Sequence, residues 1–140
     1  VLDMPHVVDD FSIVGLDEAD EIFIISDMVL PSIRLTIRAL EAFYELEYKR
    51  DKLKLIVNRF YDSHQISLDE IVEHVNLPVH WLIPYDSEVA IASMIAGEMI
   101  DVTDPDSQVA HSLVALAQHA AGLAPKDRPK RKRGFLSWAR

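Results

Sequence analysis

Five residues of this chain have the type and placement for nucleotide chemistry: Asp3, Asn58, Arg59, Pro84 and Asp86. Asp3 ends an apolar stub, Val1-Leu2, and precedes Met4-Pro5. A carboxylate at a strand tip can hold Mg²⁺, usually through water, beside a nucleotide phosphate. The plainer reading is a turn Asp before a proline. Asn58-Arg59 closes the apolar run that starts at Leu53. An Asn there can read a base edge, and an Arg can stack on the ring or pair with a neighbour. A turn Asn with a salt-bridged Arg would look the same. Pro84-Tyr85-Asp86 closes the next apolar run, and its backbone and carboxylate could line the same base pocket, or Asp86 could simply cap the following helix.

Other polar clusters carry less. His6, Asp9 and Asp10 lie close together, but their spacing matches no standard metal site, so solvated acids and a surface histidine are the better reading. His111 and His119 lie about two helical turns apart, too far for a shared metal. No HExxH or GxSxG occurs. The four glycines (Gly15, Gly97, Gly122, Gly134) are isolated and no GKS or GKT is present, so the chain has no phosphate loop of its own.

Such residues need a scaffold, and the pattern supplies one. Short apolar runs, Glu21 to Ser26, Leu53 to Asn58 and Val79 to Ile83, read as strands buried on both faces, with Val1-Leu2 as the end of another. Between them lie helical patterns. Pro31 suits a first turn, with Ile33, Ile37, Leu40 and Tyr44 along one face. Ser67 and Glu70 form a capping-box pattern ahead of Ile71, Val72 and Val75. Asp86 or Ser87 could cap a helix to Ala96, stopped near Gly97. Asp104-Pro105 could open a last helix carrying Val109, Leu113, Leu116 and Ala120, ended at Gly122. This alternation predicts an α/β domain: a parallel sheet flanked by helices through right-handed crossovers. Ligands of such sheets sit beyond the C-terminal strand ends, which is where the five residues fall.

The chain has 140 residues, 49% of them apolar, enough for one packed core. Without cysteine it has neither disulfides nor thiolate chemistry. No apolar run approaches the roughly 20 residues of a membrane span. The net charge of −9 is uneven. From Lys126 to Arg140 seven basic residues stand against Asp127 alone, net +6, leaving seven basic and 22 acidic residues, net −15, in the rest. The acidic body argues against duplex nucleic acid across its face. The tail places Phe135, Leu136 and Trp138 after its Lys/Arg run, the composition of an interfacial membrane anchor, with a solvated tail as the equal alternative. The opening Val-Leu-Asp, without Met, reads as the inside of a strand, and further sequence upstream is expected.

The order VLDMP, ADEIFIIS…LPSIR, LIVNRF, LPVHWLIPYDSEVAIASMIAGEMI resembles the second half of the MinD/ParA-type P-loop ATPases, over roughly residues 1–122, and within that group the CpaE/TadZ pilus-assembly branch. The resemblance implies part of a SIMIBI-type, Rossmann-like three-layer sandwich: residues 1–123 as the C-terminal part of an ATPase domain, and 124–140 as a basic tail similar to the amphipathic end of MinD. It implies ATP and Mg²⁺ as ligands, both needing an N-terminal half with the phosphate loop. Asp3 would be the Walker B-like, Mg²⁺-organising residue, and Asn58, Arg59, Pro84 and Asp86 the base pocket. His6-Val7-Val8 stands where the family often has a switch glycine. The segment Leu30 to Arg34 matches one near the dimer and switch region. The implied function is a cytoplasmic positioning ATPase for Flp/Tad pilus or secretion machinery at the cell pole. It would act as a homodimer with pilus or secretion assembly proteins as partners, and with peripheral membrane contact through 130–140. The alternatives are a non-catalytic scaffold on the same fold and a division-site or chromosome-positioning ATPase. An unrelated flavodoxin-like or receiver domain would place an acidic pocket at the strand tips, and the NR and IPYD loops argue against it.

Overall fold

The computed structural model describes residues 1–4, 10–62 and 65–123. Pro5, His6 and Asp9 fall outside the described residues, as does the tail from 124 to 140, and so do the expectations placed on them.

Three parallel strands form the sheet in the order β1 (Ile22–Asp27), β2 (Leu53–Phe60), β3 (Val79–Pro84). Each begins and ends within a residue or two of its expected place. β2 is central, and its burial follows from that: Leu53, Leu55, Ile56 and Val57 are at most 2% exposed. A strand covered on both faces needs apolar side chains at consecutive positions, which is why LKLIVN reads as a run and not an alternation.

β1, at the edge, alternates and leaves Ile25 62% exposed, so the expectation that it is buried on both faces is corrected. Helices cover both faces of the central strand. On one lie α1 (Asp10–Glu18), α2 (Leu30–Glu45) and α3 (Leu68–Val75), whose Leu16, Ile33, Leu40, Phe43, Ile71 and Val75 pack with the β1 and β2 residues that face them. On the other lie α4 (Ser87–Ala96), α5 (Ile100–Thr103) and α6 (Gln108–Ala120), around a smaller core of Ile56, Ile83 and Val109 with Trp81, Phe23 and Leu113 against it. The result is the α/β, three-layer arrangement expected from the sequence.

The local signals act as their chemistry requires. Ser67 Oγ accepts from the Glu70 backbone N–H while the Glu70 carboxylate accepts from the Ser67 N–H at 2.8 Å, a complete capping box. These bonds hold the Glu70 carboxyl below its usual range, the Ser67 backbone N–H first and its hydroxyl second. Ser67→Ala is expected to cost about 0.5–2 kcal/mol of folding stability, read from the denaturant midpoint. Asp86 caps α4 through the Val89 N–H at 3.1 Å, and Gly97 ends it at φ +66, a left-handed turn that glycine takes without strain.

Three expectations about local elements are corrected. Residues 1–4 form no strand: Val1 and Leu2 are exposed, and Leu2 and Met4 instead lie over Gly15 of α1, close enough that a Cβ there would meet Leu2 at 3.2 Å. A strand exists only by pairing, and among the described residues no strand pairs with these. The buried stripe of α2 is Ile33, Thr36, Leu40 and Phe43, while Tyr44 is 42% exposed, because the last turn of the helix meets the core through Phe43, whose ring packs edge-on against Tyr48. The last helix is opened by Ser107, which accepts from the Ala110 N–H, and not by Asp104-Pro105, which end the short α5. Neither α1 nor α5 was anticipated: α1 has little amphipathic signal, and α5 is a single turn.

Candidate functional site

The C-terminal strand ends gather four of the five candidate residues, all but Asp3. Asp27, the last residue of β1, is in register with Asn58 of β2, and Phe60 at the end of β2 with Pro84 at the end of β3. The Tyr85 N–H donates to the Phe60 carbonyl at 2.8 Å, tying the two loops together. The Tyr61 and Tyr85 rings lie 5.7 Å apart above this junction. Asn58, Arg59, Pro84 and Asp86 are thus neighbours on adjacent strand tips.

Asn58 and Arg59 lie within the last three residues of β2 and not in a loop beyond it. The ladder to β3 shifts register between Val57 and Phe60, and Arg59 sits there at φ +53. Such a bulge re-aims a side chain. Arg59 turns towards β1, and its guanidinium grips the Asp27 carboxylate with two nitrogens, Nε at 3.2 Å from Oδ1 and Nη2 on Oδ2. The Asp27 hydrogen bond first, and its charge second, raise the Arg59 pKa above its ordinary value. The salt-bridged alternative therefore describes Arg59 correctly. The pair does not bury it, since 63% of its side chain stays exposed.

Asp27 is the residue that sequence reasoning missed. It follows EIFIIS directly, in the segment Ser26 to Pro31 that the strand-tip rule marks along with those at Asp3, Asn58 and Pro84, but the sequence reading gives it no role. Its backbone N–H donates to Ser32 Oγ at 3.0 Å, Ser32 Oγ lies 3.2 Å from Ser26 Oγ, and the Ser32 carbonyl accepts from Thr36 Oγ1. This chain of hydrogen bonds fixes the β1–α2 turn and with it the anchor of Arg59.

Asp3 is exposed and lies beside α1 through its neighbours Leu2 and Met4. Among the described residues no group of three or more His, Cys, Asp or Glu side chains is placed to hold a metal ion. A mixed-charge cleft lined by Asp20, Glu21, Tyr48 and Lys52 opens at the opposite end of the sheet, away from the strand tips.

A second polar cluster lies on the β3–α6 face. His80 Nε2 is 3.1 Å from His119 Nε2, which is 3.4 Å from Glu21 Oε2. Trp81 and Phe23 flank the rings, and Trp81 is held by Ser112 Oγ at 3.0 Å. His111 and His119 are both exposed on the surface of α6, two turns apart as read from the sequence; the partner of His119 is His80, a contact between distant segments that no spacing announces. Burial lowers the His80 pKa most, His119 and Lys54 lower it further, and Glu21 opposes them. A base with a depressed folded pKa stabilises the fold fully above the unfolded value of about 6.5 and loses that contribution as pH falls through the folded one. The urea midpoint is therefore expected to drop between pH 7.5 and pH 5, and less steeply in His80→Gln; equal slopes would remove His80 as the cause.

No protein-family model matches the chain, and no curated protein does. Solved structures do. A ParA family ATPase from Chlorobium tepidum TLS superposes with a TM-score of 0.74 at 26% identity, over 81% of this chain and 47% of its own. The fold is part of a ParA/MinD-type fold. MinD from Aquifex aeolicus superposes at 0.66 with 19% identity, over 84% of this chain and 50% of its own. The MinC:MinD cell division complex of the same organism gives 0.66 and 20%, over 86% and 51%. The chain thus spans about half the length of these ParA/MinD-type chains. The three strands, with helices on both faces, are the part of the ParA/MinD-like fold that this chain supplies. Among the described residues no helix is long and apolar enough to cross a membrane.

Proposed function

We propose that this chain is the base-binding part of a ParA/MinD-type ATPase that positions Flp/Tad pilus or secretion machinery at the cell pole, in the manner of the CpaE/TadZ branch. One observation carries the nucleotide part. Within a ParA/MinD-like fold, Asn58-Arg59 and Pro84-Tyr85-Asp86 stand on adjacent strand tips, joined by the Tyr85–Phe60 hydrogen bond. Ligands of open parallel sheets bind at that edge.

The base side fits an adenine. Asn58 offers an amide for a base edge, the exposed guanidinium held by Asp27 offers a flat cation for stacking, and the Pro84–Asp86 loop closes the side. The Asp86 carboxylate is already engaged as the α4 cap, so its contribution is to set the loop. The phosphate side is not met by this chain: its glycines are isolated and no signature lysine follows one. ATP and Mg²⁺ would be held jointly with a half that carries the phosphate loop, residues 1–123 being the C-terminal part of that domain. Asp3 is the one candidate here for organising Mg²⁺. Bound ATP would supply phosphoryl transfer that favours positioning over covalent chemistry.

The rest of the reading follows from surfaces. Leu30 and Leu35 are exposed beside Arg34 and Arg38 on α2, next to the strand-tip edge, a face suited to a homodimer. Partners would be pilus or secretion assembly proteins. The location would be cytoplasmic, with peripheral contact at the membrane or pole through 130–140. A scaffold without hydrolysis is the second reading, favoured by His6-Val7-Val8 in place of the switch glycine.

Calorimetry with Mg²⁺-ATP on the full-length protein tests this. Tight, Mg²⁺-dependent binding that Asp3→Ala weakens supports the nucleotide switch. No binding by the intact protein leaves a scaffold on an ATPase fold.

A further inference from the structure

From Phe60 to Pro125 the chain carries ten acidic residues and neither Lys nor Arg, whereas seven of its 14 basic residues lie from Lys126 onward. The acidic stretch includes α4 and α5, and these present an apolar face to water. Val89 and Ser93 of α4 turn inward. Ile91, Met94 and Ile95, on the opposite side, are 55%, 83% and 83% exposed, and Met99 and Val102 continue the patch at 72% and 61%. A helix apolar on its outer as well as its inner side is built to be covered. Glu88, Glu98 and Asp101 rim this patch, and no basic residue does so from the same segment.

The tail has the complementary composition. Lys126 to Arg133 hold six basic residues, and Phe135, Leu136 and Trp138 follow. It also has the reach. It starts beyond α6, whose first turn adjoins α5 and whose 13 residues span about 20 Å. The 11 residues from 124 to 134 can extend to about 36–40 Å.

We propose that the segment Gly134 to Arg140 docks on the exposed α4–α5 face of its own chain, its Phe, Leu and Trp covering Met94 and Ile95 while the Lys/Arg run lies against the acidic rim. The inference does not depend on nucleotide binding. While docked, the tail is withheld from any other surface.

Trp138 reports this in the intact chain. Its emission and acrylamide quenching are obtained by subtracting the Trp138→Phe variant, which retains only Trp81. The expected result is blue-shifted, shielded emission relative to a synthetic peptide of residues 124–140, independent of protein concentration and weakened by salt. The double variant Met94→Asp/Ile95→Asp should abolish the shift, and Glu98→Lys/Asp101→Lys should reduce it, with unchanged far-UV circular dichroism in both. Peptide-like exposure in the wild type overturns the proposal. So does shielding that survives the double variant, that grows with protein concentration and so belongs to a second copy, or that arises only when anionic vesicles are added.

Discussion

Leu55→Ala is expected to remove about 2–5 kcal/mol of folding free energy, against a total of about 5–15 kcal/mol for a domain of this kind. Leu55 is 0% exposed, is paired across the ladders with Ile24 and Val79, and lies under the helices of the α2–α3 layer. Truncation removes apolar area that no rearrangement can replace, because both neighbouring strands hold the backbone in place. Ile25→Ala on β1 is the control. Its side chain is 62% exposed, so a change within about 0.5 kcal/mol is expected. Urea unfolding of both variants settles the comparison. A Leu55→Ala loss below about 1 kcal/mol would mean that β2 is not the central strand of the core.

Arg59→Gly separates the two roles of one residue. An arginine at φ +53 carries a backbone cost of about 1–2 kcal/mol that glycine does not. Its ion pair with Asp27 is largely exposed, and such pairs contribute about 0–1 kcal/mol. The fold is therefore expected to keep its stability within about 1 kcal/mol. If the guanidinium stacks on a base, Mg²⁺-ATP affinity of the full-length protein should fall about tenfold, the loss of roughly 1.4 kcal/mol typical of a cation held over a ring. Unchanged affinity would remove Arg59 from the base pocket. A stability loss beyond about 2 kcal/mol would show that its contacts outweigh the backbone strain.

The elements were legible because their signals are local. EIFIIS, LKLIVN and VHWLI each carry their own apolar run, Ser67 and Glu70 sit at the spacing a capping box needs, and Asp86 and Gly97 mark the two ends of α4. The candidate site was legible in part for the same reason. Strand tips can be located once strands are, so Asn58-Arg59 and Pro84-Asp86 fall where a parallel sheet puts ligands. Asp27 was equally local and was passed over.

What the sequence determined by itself is thus the α/β class, the order of the three strands and of the four longer helices between and after them, the caps at Ser67 and Asp86, and the split between an acidic body and a basic tail. Only the tertiary structure decided which of these meet. The Asp27–Arg59 pair joins residues of two strands through a bulge, and the His80–His119 contact joins residues 39 apart. The outward face of α4 was also undecided, since a helix apolar on all sides does not say which side is covered. Val1-Leu2 shows the same limit from the other direction. Its residues suit a strand, but a strand is completed by the backbone of a neighbour, and pairing is a property of the whole sheet rather than of the segment.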